Sequence, residues 1–189
     1  MGYYDYTPTL SLDRPLALAG LPGTPYRQVG FELAALTGLP LADLDRLIEH
    51  QAGQSIWSLV DEQGPETYRD LEAQLLPQTL ASTPPGIILL GESALIEADN
   101  RRQITVATNV AYLTLRVTAA YWLLRRDWQE GRRPHPLLPQ PLEQISQLQP
   151  FFEQCDDGIG AARFRLDAAG REAGSIVSEL LEKLRHGNT

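Results

Sequence analysis

The 189-residue chain predicts an α/β fold with a central parallel sheet flanked by helices. Short, wholly apolar runs such as "IILLG" (87–91) have the composition of strands buried on both faces. Between those runs lie segments whose apolar residues recur at helical spacing. Glycine or proline closes almost every segment, and strands alternating with helices imply parallel pairing through helical crossovers. Ligand sites in such sheets gather at the carboxyl ends of the strands. Residues 20–30, 43–45 and 91–93 are therefore the places to inspect.

The first strand is "RPLALAG" (14–20), an apolar run closed by glycine. A helix follows from about Tyr26, with Val29, Leu33 and Leu36 at helical spacing and Gly38 as its cap. "LPLADLD" (39–45) reads as a second short strand, and "RLIEHQAG" and "SIWSLVDEQG" as short helices ended by Gly53 and Gly64. Pro65 suits a first helical position, and the helix it opens carries Tyr68, Leu71 and Leu75 on one face through Leu80. "STPPG" (82–86) is a turn before the strand "IILLG". Residues 97–108 are helical, "VAYLTL" (110–115) is a strand, and 118–131 is a helix. "RRPHPLLPQP" (132–141) is too rich in proline for regular structure. "LEQISQLQPFFEQC" (142–155) reads as one helix, "ARFRLDAAG" (162–170) as a strand and turn. The last helix, 171–186, carries Ile176, Leu180 and Leu184.

Sixteen basic and twenty-four acidic side chains give a formal charge of −8, which disfavours binding to nucleic acid or anionic membrane. The single cysteine, Cys155, excludes an internal disulfide framework and fits a reducing compartment. Its neighbours Gln154 and Asp156 favour an unreactive thiol. The N-terminus lacks the basic and apolar regions of a secretory signal, and Tyr6 stands where a myristoylation motif starting at Gly2 needs Ser or Thr. The longest apolar stretch is interrupted by Arg116 and is too short to span a membrane. A soluble cytoplasmic protein is expected. His50, His135 and His186 have no Cys, His or acid at ligand spacing, so no zinc site is implied.

"LALAGLPGTPYRQVG" (16–30) begins as a buried strand and becomes a glycine-punctuated loop that opens a helix, the arrangement of a phosphate-binding loop. "DLD" follows at Asp43–Asp45, Tyr68-Arg69 closes a helical segment, "GESALI" follows the 87–91 strand, and "GRRPHPLL" lies in the proline-rich loop. In this order and spacing the chain resembles the shikimate kinase family over residues 14–185. The resemblance implies a P-loop NTPase, nucleoside-monophosphate-kinase-like three-layer fold. Residues 1–13, rich in Tyr, Thr and Pro, read as a flexible arm ahead of one domain over 14–189, in which the resemblance implies a lid-like loop at about 130–141.

Members of that family would transfer the γ-phosphoryl group of ATP, with Mg²⁺, to the 3-hydroxyl of shikimate. The resemblance places Gly20, Gly23, Pro25, Tyr26, Arg27 and Gln28 in the nucleotide loop. Pro25 removes a backbone donor, Tyr26 stands in place of the lysine, and Arg27 and Gln28 replace the Ser-Thr pair whose hydroxyl would reach the metal. Asp43 would lie near the Mg²⁺ water shell if the metal is bound, and Asp45 would orient the substrate hydroxyls. The alternative for "DLD" is a strand end capping a helix. Arg69 matches an arginine that grips the substrate carboxylate, or is a solvated helix residue. At the triple-glycine turn only Gly91 is kept, and Glu92 brings a like charge toward an anionic substrate. Leu148 and Gln149 stand where a second carboxylate-binding arginine is expected. Arg132 and Arg133 hold the lid position, or form a basic surface loop.

These departures predict a degenerate member of the family: a pseudokinase that needs no cofactor and binds a protein partner in an assembly or regulatory role. The aromatic arm "GYYDYTP" is its candidate docking segment. Inactive relatives occur in photosynthetic lineages, which would make the location stromal in a plastid-bearing organism. Two alternatives stand beside it. One is an active or weakly active shikimate kinase using ATP and Mg²⁺, and the other is a sensor that binds shikimate or a nucleotide through Asp45 and Arg69 without turnover.

Overall fold

The computed structural model of the chain describes residues 10–81 and 85–186. Five parallel strands form one sheet: β1 (Leu16–Gly20), β2 (Leu41–Asp43), β3 (Ile87–Leu89), β4 (Asn109–Thr114) and β5 (Phe164–Asp167), in the order β2-β3-β1-β4-β5. The register sets Leu16 beside both Ile87 and Asn109, and Asp43 beside Leu89. Alternate residues of each strand feed opposite cores, as a period of two requires. Leu16, Leu18, Ile87, Leu89, Ala111 and Leu113 pack on one side, against α1 (Tyr26–Thr37) and α9 (Ala173–His186). Ala17, Ala19, Ile88, Val110 and Tyr112 pack on the other. That second layer contains α2 (Leu44–Ala52), α3 (Ile56–Gln63), α4 (Pro65–Leu80) and α5 (Ala98–Ala107). Gly30 brings α1 close to the sheet, because a Cβ there would strike the Leu89 side chain.

The predicted architecture and most elements are present, with differences that have physical causes. "LPLADLD" is not one strand: β2 stops at Asp43, whose side chain accepts the Arg46 N–H at 3.4 Å and starts α2 at Leu44. The helix expected over 142–155 is broken. A 3₁₀ turn spans Ile145–Gln147, α7 spans Gln149–Gln154, and a further helix, α8, spans Asp156–Ala161. Pro150 fits the first turn of α7 but cannot continue a helix entering from Ile145. Gln147 instead folds back to accept the Glu143 and Gln144 amides, each at 2.7 Å. Two glycines hide α8 from propensity arguments, although Asp156 and Asp157 suit its N-terminus. Between α6 (Val117–Gln129) and the 3₁₀ turn runs the proline-rich loop, without a helix or strand. Leu10 and Leu12 are buried in the core cluster that also holds α1 and α9, so of the expected arm those residues belong to the core. Residues 1–9, with the Gly2–Tyr6 motif and the aromatic segment, lie outside the described residues, as do 82–84 of the expected turn. No helix among the described residues is long and apolar enough to cross a membrane.

Candidate functional site

The carboxyl ends of β1, β2 and β3 meet at one edge of the sheet, and the site is built there. After β1 the chain turns through Gly23, whose φ of 87° lies in the left-handed region. Thr24 fixes the turn: its amide and its hydroxyl both donate to the Leu21 carbonyl, at 3.0 and 2.7 Å. Pro25 precedes α1 and supplies no N–H, and the Val29 amide returns to the Pro25 carbonyl at 2.9 Å. Tyr26 turns inward. It is 4% exposed, and its hydroxyl donates to the Leu90 carbonyl at 3.0 Å. A buried phenol needs such a partner, and the end of β3 provides it. Gln28 faces outward and donates to Glu32 at 2.8 Å.

Arg27 goes to the acidic pair. Its Nη1 donates to both oxygens of Asp43, at 2.8 and 2.7 Å, and its Nη2 donates to Asp45 Oδ2. The Asp43 and Asp45 side chains are 6% and 9% exposed, so their charges need a partner in place. Asp43 ends β2 and Asp45 opens α2, an arrangement fixed by the helix start between them. The guanidinium fork bridges two carboxylates as a lysine ammonium would not. Burial nevertheless pushes the Asp45 carboxyl up, more than Arg27 and the Tyr68 hydroxyl draw it down.

A chain of hydrogen bonds continues inward from Asp45. The Tyr68 hydroxyl donates to Asp45 Oδ1 at 2.8 Å and also lies 3.3 Å from Glu72 Oε1. Ser93 donates to Glu72 Oε2 at 2.8 Å. Glu72 is wholly buried, and burial raises its carboxyl to about 8 against the pull of Ser93 and Tyr68. A protonated Glu72 satisfies the geometry: Ser93 donates to it, it donates to Tyr68, and Tyr68 donates to the ionised Asp45. Gly91 makes the assembly possible, because a Cβ at that position would overlap Tyr68 Oη, Glu72 Oε1 and Asp45 Oδ1. Glu92, next in the chain, is partly exposed as a residue. Its Oε2 is enclosed and has no partner among the described residues. Burial, and then the charge of Asp45, raise it to about 8.

The proline-rich loop brings to the site a residue that its sequence leaves isolated. His135 sits edge-on to Tyr68, ring centroids 5.4 Å apart, with its Nε2 3.9 Å from Asp45 Oδ2. The side chain is 9% exposed, and burial, with the nearby Arg27 charge, lowers its pKa to about 3. The Leu137 amide donates to His135 Nδ1 at 3.3 Å, so the neutral ring carries its proton on Nε2. Arg132 pairs with Asp127 at 2.6 Å and with Glu130, while the Arg133 guanidinium lies 5.3 Å from the Trp57 ring centroid. Half-buried Arg69 donates from Nη1 to Glu66 at 2.6 Å, while its Nε is enclosed and has no partner among the described residues. Leu148 is buried among Tyr121, Leu124 and Leu138.

The fold thus brings Arg27, Asp43, Asp45, Gly91 and Glu92 together and leaves Gln28, Arg69, Arg132 and Arg133 on other contacts. Tyr68, Glu72, Ser93 and His135 complete the site without having been singled out for it. Tyr68 and Glu72 stand four apart on α4, a polar pair on a face that otherwise reads as core. Burial pushes the Cys155 thiol up to about 11, so it stays protonated. No group of three or more His, Cys, Asp or Glu side chains suited to a metal occurs among the described residues.

Comparison with known proteins agrees with the topology. A shikimate kinase from Symbiobacterium thermophilum is 30% identical over 176 residues, 90% of this chain and 95% of that protein. One from Paracidovorax citrulli is 34% identical over 133 residues, 70% of this chain and 71% of its own length. Among solved structures, the shikimate kinase from Acinetobacter baumannii in complex with shikimate superposes with a TM-score of 0.78. At 23% identity it covers 93% of this chain and 94% of that one, and it shows the P-loop NTPase fold. The sequence profile described as shikimate kinase matches residues 23–185. The chain belongs to the shikimate kinase family.

Proposed function

We propose that this chain is a member of the family that does not transfer phosphoryl groups, and that it acts by binding, with a protein as its partner. One observation carries the reading: the Arg27 guanidinium occupies both carboxylates of the acidic pair. Phosphoryl transfer depends on positioning and on positive charge delivered to the phosphates. Here the cation of the loop is neutralised by Asp43 and Asp45. Tyr26 buries its side chain where a phosphate-binding lysine is expected, and its hydroxyl is committed to the Leu90 carbonyl.

The residues present do not fit Mg²⁺-ATP. A divalent ion near Asp43 would face a guanidinium that already makes two hydrogen bonds to that carboxylate. Arg27 and Gln28 stand in place of the Ser-Thr pair whose hydroxyl would reach a metal. Asp45 is a poor acceptor for a substrate proton while Arg27 and Tyr68 both donate to it. The substrate side gives further support, since Arg69 pairs with Glu66 and Glu92 lies near Asp45.

Kinship supports a second reading: an active kinase transferring phosphate from ATP to shikimate. The relatives that match over most of the chain carry that name, and taken alone they favour activity. A coupled ADP-release assay with ATP, Mg²⁺ and shikimate separates the two. Kinases turn over at roughly 1–100 per second. The first reading expects no release above background, and turnover within about three orders of magnitude of that range establishes the second.

A further inference from the structure

We propose that the cavity between the second half of α6 and the proline-rich loop binds a free α-amino acid with an apolar side chain. None of the residues lining it belongs to the site around Arg27 and the acidic pair. The inference therefore stands whether or not the chain transfers phosphate.

The cavity has a volume of about 260 Å³. Sites for drug-sized ligands begin at roughly 300 Å³, so this one suits a smaller molecule. Leu124, Trp128, Pro134, Pro139 and Pro141 give it apolar walls. The prolines bring no backbone N–H to those walls, which leaves recognition to a few side chains. Arg125 and Glu143 are the charged residues of the lining.

Tyr121 holds these two residues close together. Arg125 Nη1 donates to the Tyr121 hydroxyl at 2.9 Å, and that hydroxyl donates to the Glu143 carbonyl at 2.7 Å. Their side-chain charges nevertheless make no ion pair with each other or with any other described residue. The neighbouring acids Asp127 and Glu130 pair with Arg126 and Arg132 instead. A ligand carboxylate fits the free edge of the Arg125 guanidinium. Alone, it would also meet the like charge of Glu143, and an ammonium alone would meet that of Arg125. An α-amino acid carries both groups one carbon apart and answers both charges. Gln140 supports the same orientation: of the five enclosed polar atoms without a partner among the described residues, its Nε2 is the one in this lining, and it is a donor. The walls of leucine, tryptophan and proline select an apolar side chain.

The test is calorimetric titration of the full chain at pH 7 with leucine, 4-methylpentanoate, 3-methylbutylamine and glycine. The last three lack, in turn, the ammonium, the carboxylate and the side chain of leucine. Leucine at ten times its Kd is expected to raise the melting midpoint by about 3–6 °C. Losing the carboxylate should weaken binding at least tenfold, the effect of a charge-assisted hydrogen bond to Arg125. Losing the ammonium should weaken it about threefold, because Glu143 is exposed and water screens its pair. Glycine should give no shift. Glu143→Gln should bring leucine down to the affinity of 4-methylpentanoate and leave 4-methylpentanoate itself no weaker. Arg125→Gln should erase the preference for leucine over 3-methylbutylamine. If Arg125→Gln melts too early to use, Glu143→Gln, made on an exposed side chain, decides alone. Absence of leucine binding, equal binding of leucine and 4-methylpentanoate, glycine binding as tightly as leucine, or an unchanged leucine affinity in either variant would each overturn the inference. None of these outcomes bears on the coupled ADP-release assay, which tests the function proposed above by itself.

Discussion

Replacing Arg27 by alanine removes three hydrogen bonds and the positive charge held between two buried carboxylates. Removing one partner of a buried ion pair costs about 3–5 kcal/mol, chiefly because the remaining charge is left without compensation. The Arg27 side chain is 33% exposed, so water enters the gap and moves the expected loss to about 2–4 kcal/mol. For a chain of this length each kcal/mol lowers the midpoint by about 2–4 °C, which gives a fall of about 5–15 °C. The loss should depend on pH. Burial already raises Asp45, and without Arg27 its carboxyl rises further. A folded carboxyl raised above its unfolded value stabilises at low pH and loses that contribution as pH rises. The variant should therefore recover part of its stability between pH 7.5 and 5.5. Arg27→Lys keeps the charge but cannot bridge both acids, and it should fall between alanine and the native chain. Urea unfolding at the two pH values measures all three proteins. A loss under about 1 kcal/mol for Arg27→Ala at both values would mean that Arg27 behaves as a solvated surface cation, and the clamp would be refuted.

Tyr26→Phe leaves the Leu90 carbonyl buried without its partner and should cost about 1–2 kcal/mol in denaturant unfolding, whereas a surface tyrosine would cost nothing. Native Glu72 titrates near 8, well above an unfolded glutamate. The folded state therefore holds a proton that the unfolded chain has released, so this contribution is full at low pH and disappears as pH rises to about 8. Stability should fall between pH 6.5 and 8, above the range in which His135, lowered to about 3, opposes it by losing stability on acidification. Glu72→Gln should flatten that slope by up to about 1.4 kcal/mol per pH unit, and an unchanged slope would assign the titration elsewhere.

The sheet and its flanking helices were legible because strands buried on both faces must be apolar, and the chain writes them as "LALAG", "IILLG" and "VAYLTL". The stretch from 142 to 161 was not, since its path depends on Pro150, on the Gln147 side chain folding back, and on Gly158 seating α8 against Leu95. In the site, the spacing of "DLD" located two acids but not what neutralises them. That contact joins α1 to the end of β2 across the sheet, and no local pattern encodes it. His135 was illegible for the same reason. Its ligand-free neighbourhood of prolines gives no hint that the loop returns to Tyr68 and Asp45. Tyr68 and Glu72 left a faint trace, a glutamate on the buried face of a helix, which is uncommon unless it is paired.

The claim that Arg27 has taken the place a metal would need is tested most directly by titrating ATP into the native chain with and without Mg²⁺. If the guanidinium holds Asp43 and Asp45, Mg²⁺ brings no gain, and the two isotherms agree within about threefold in affinity. Binding that tightens by a hundredfold or more with Mg²⁺ would mean that the acidic pair is open to the metal, and the account would be contradicted.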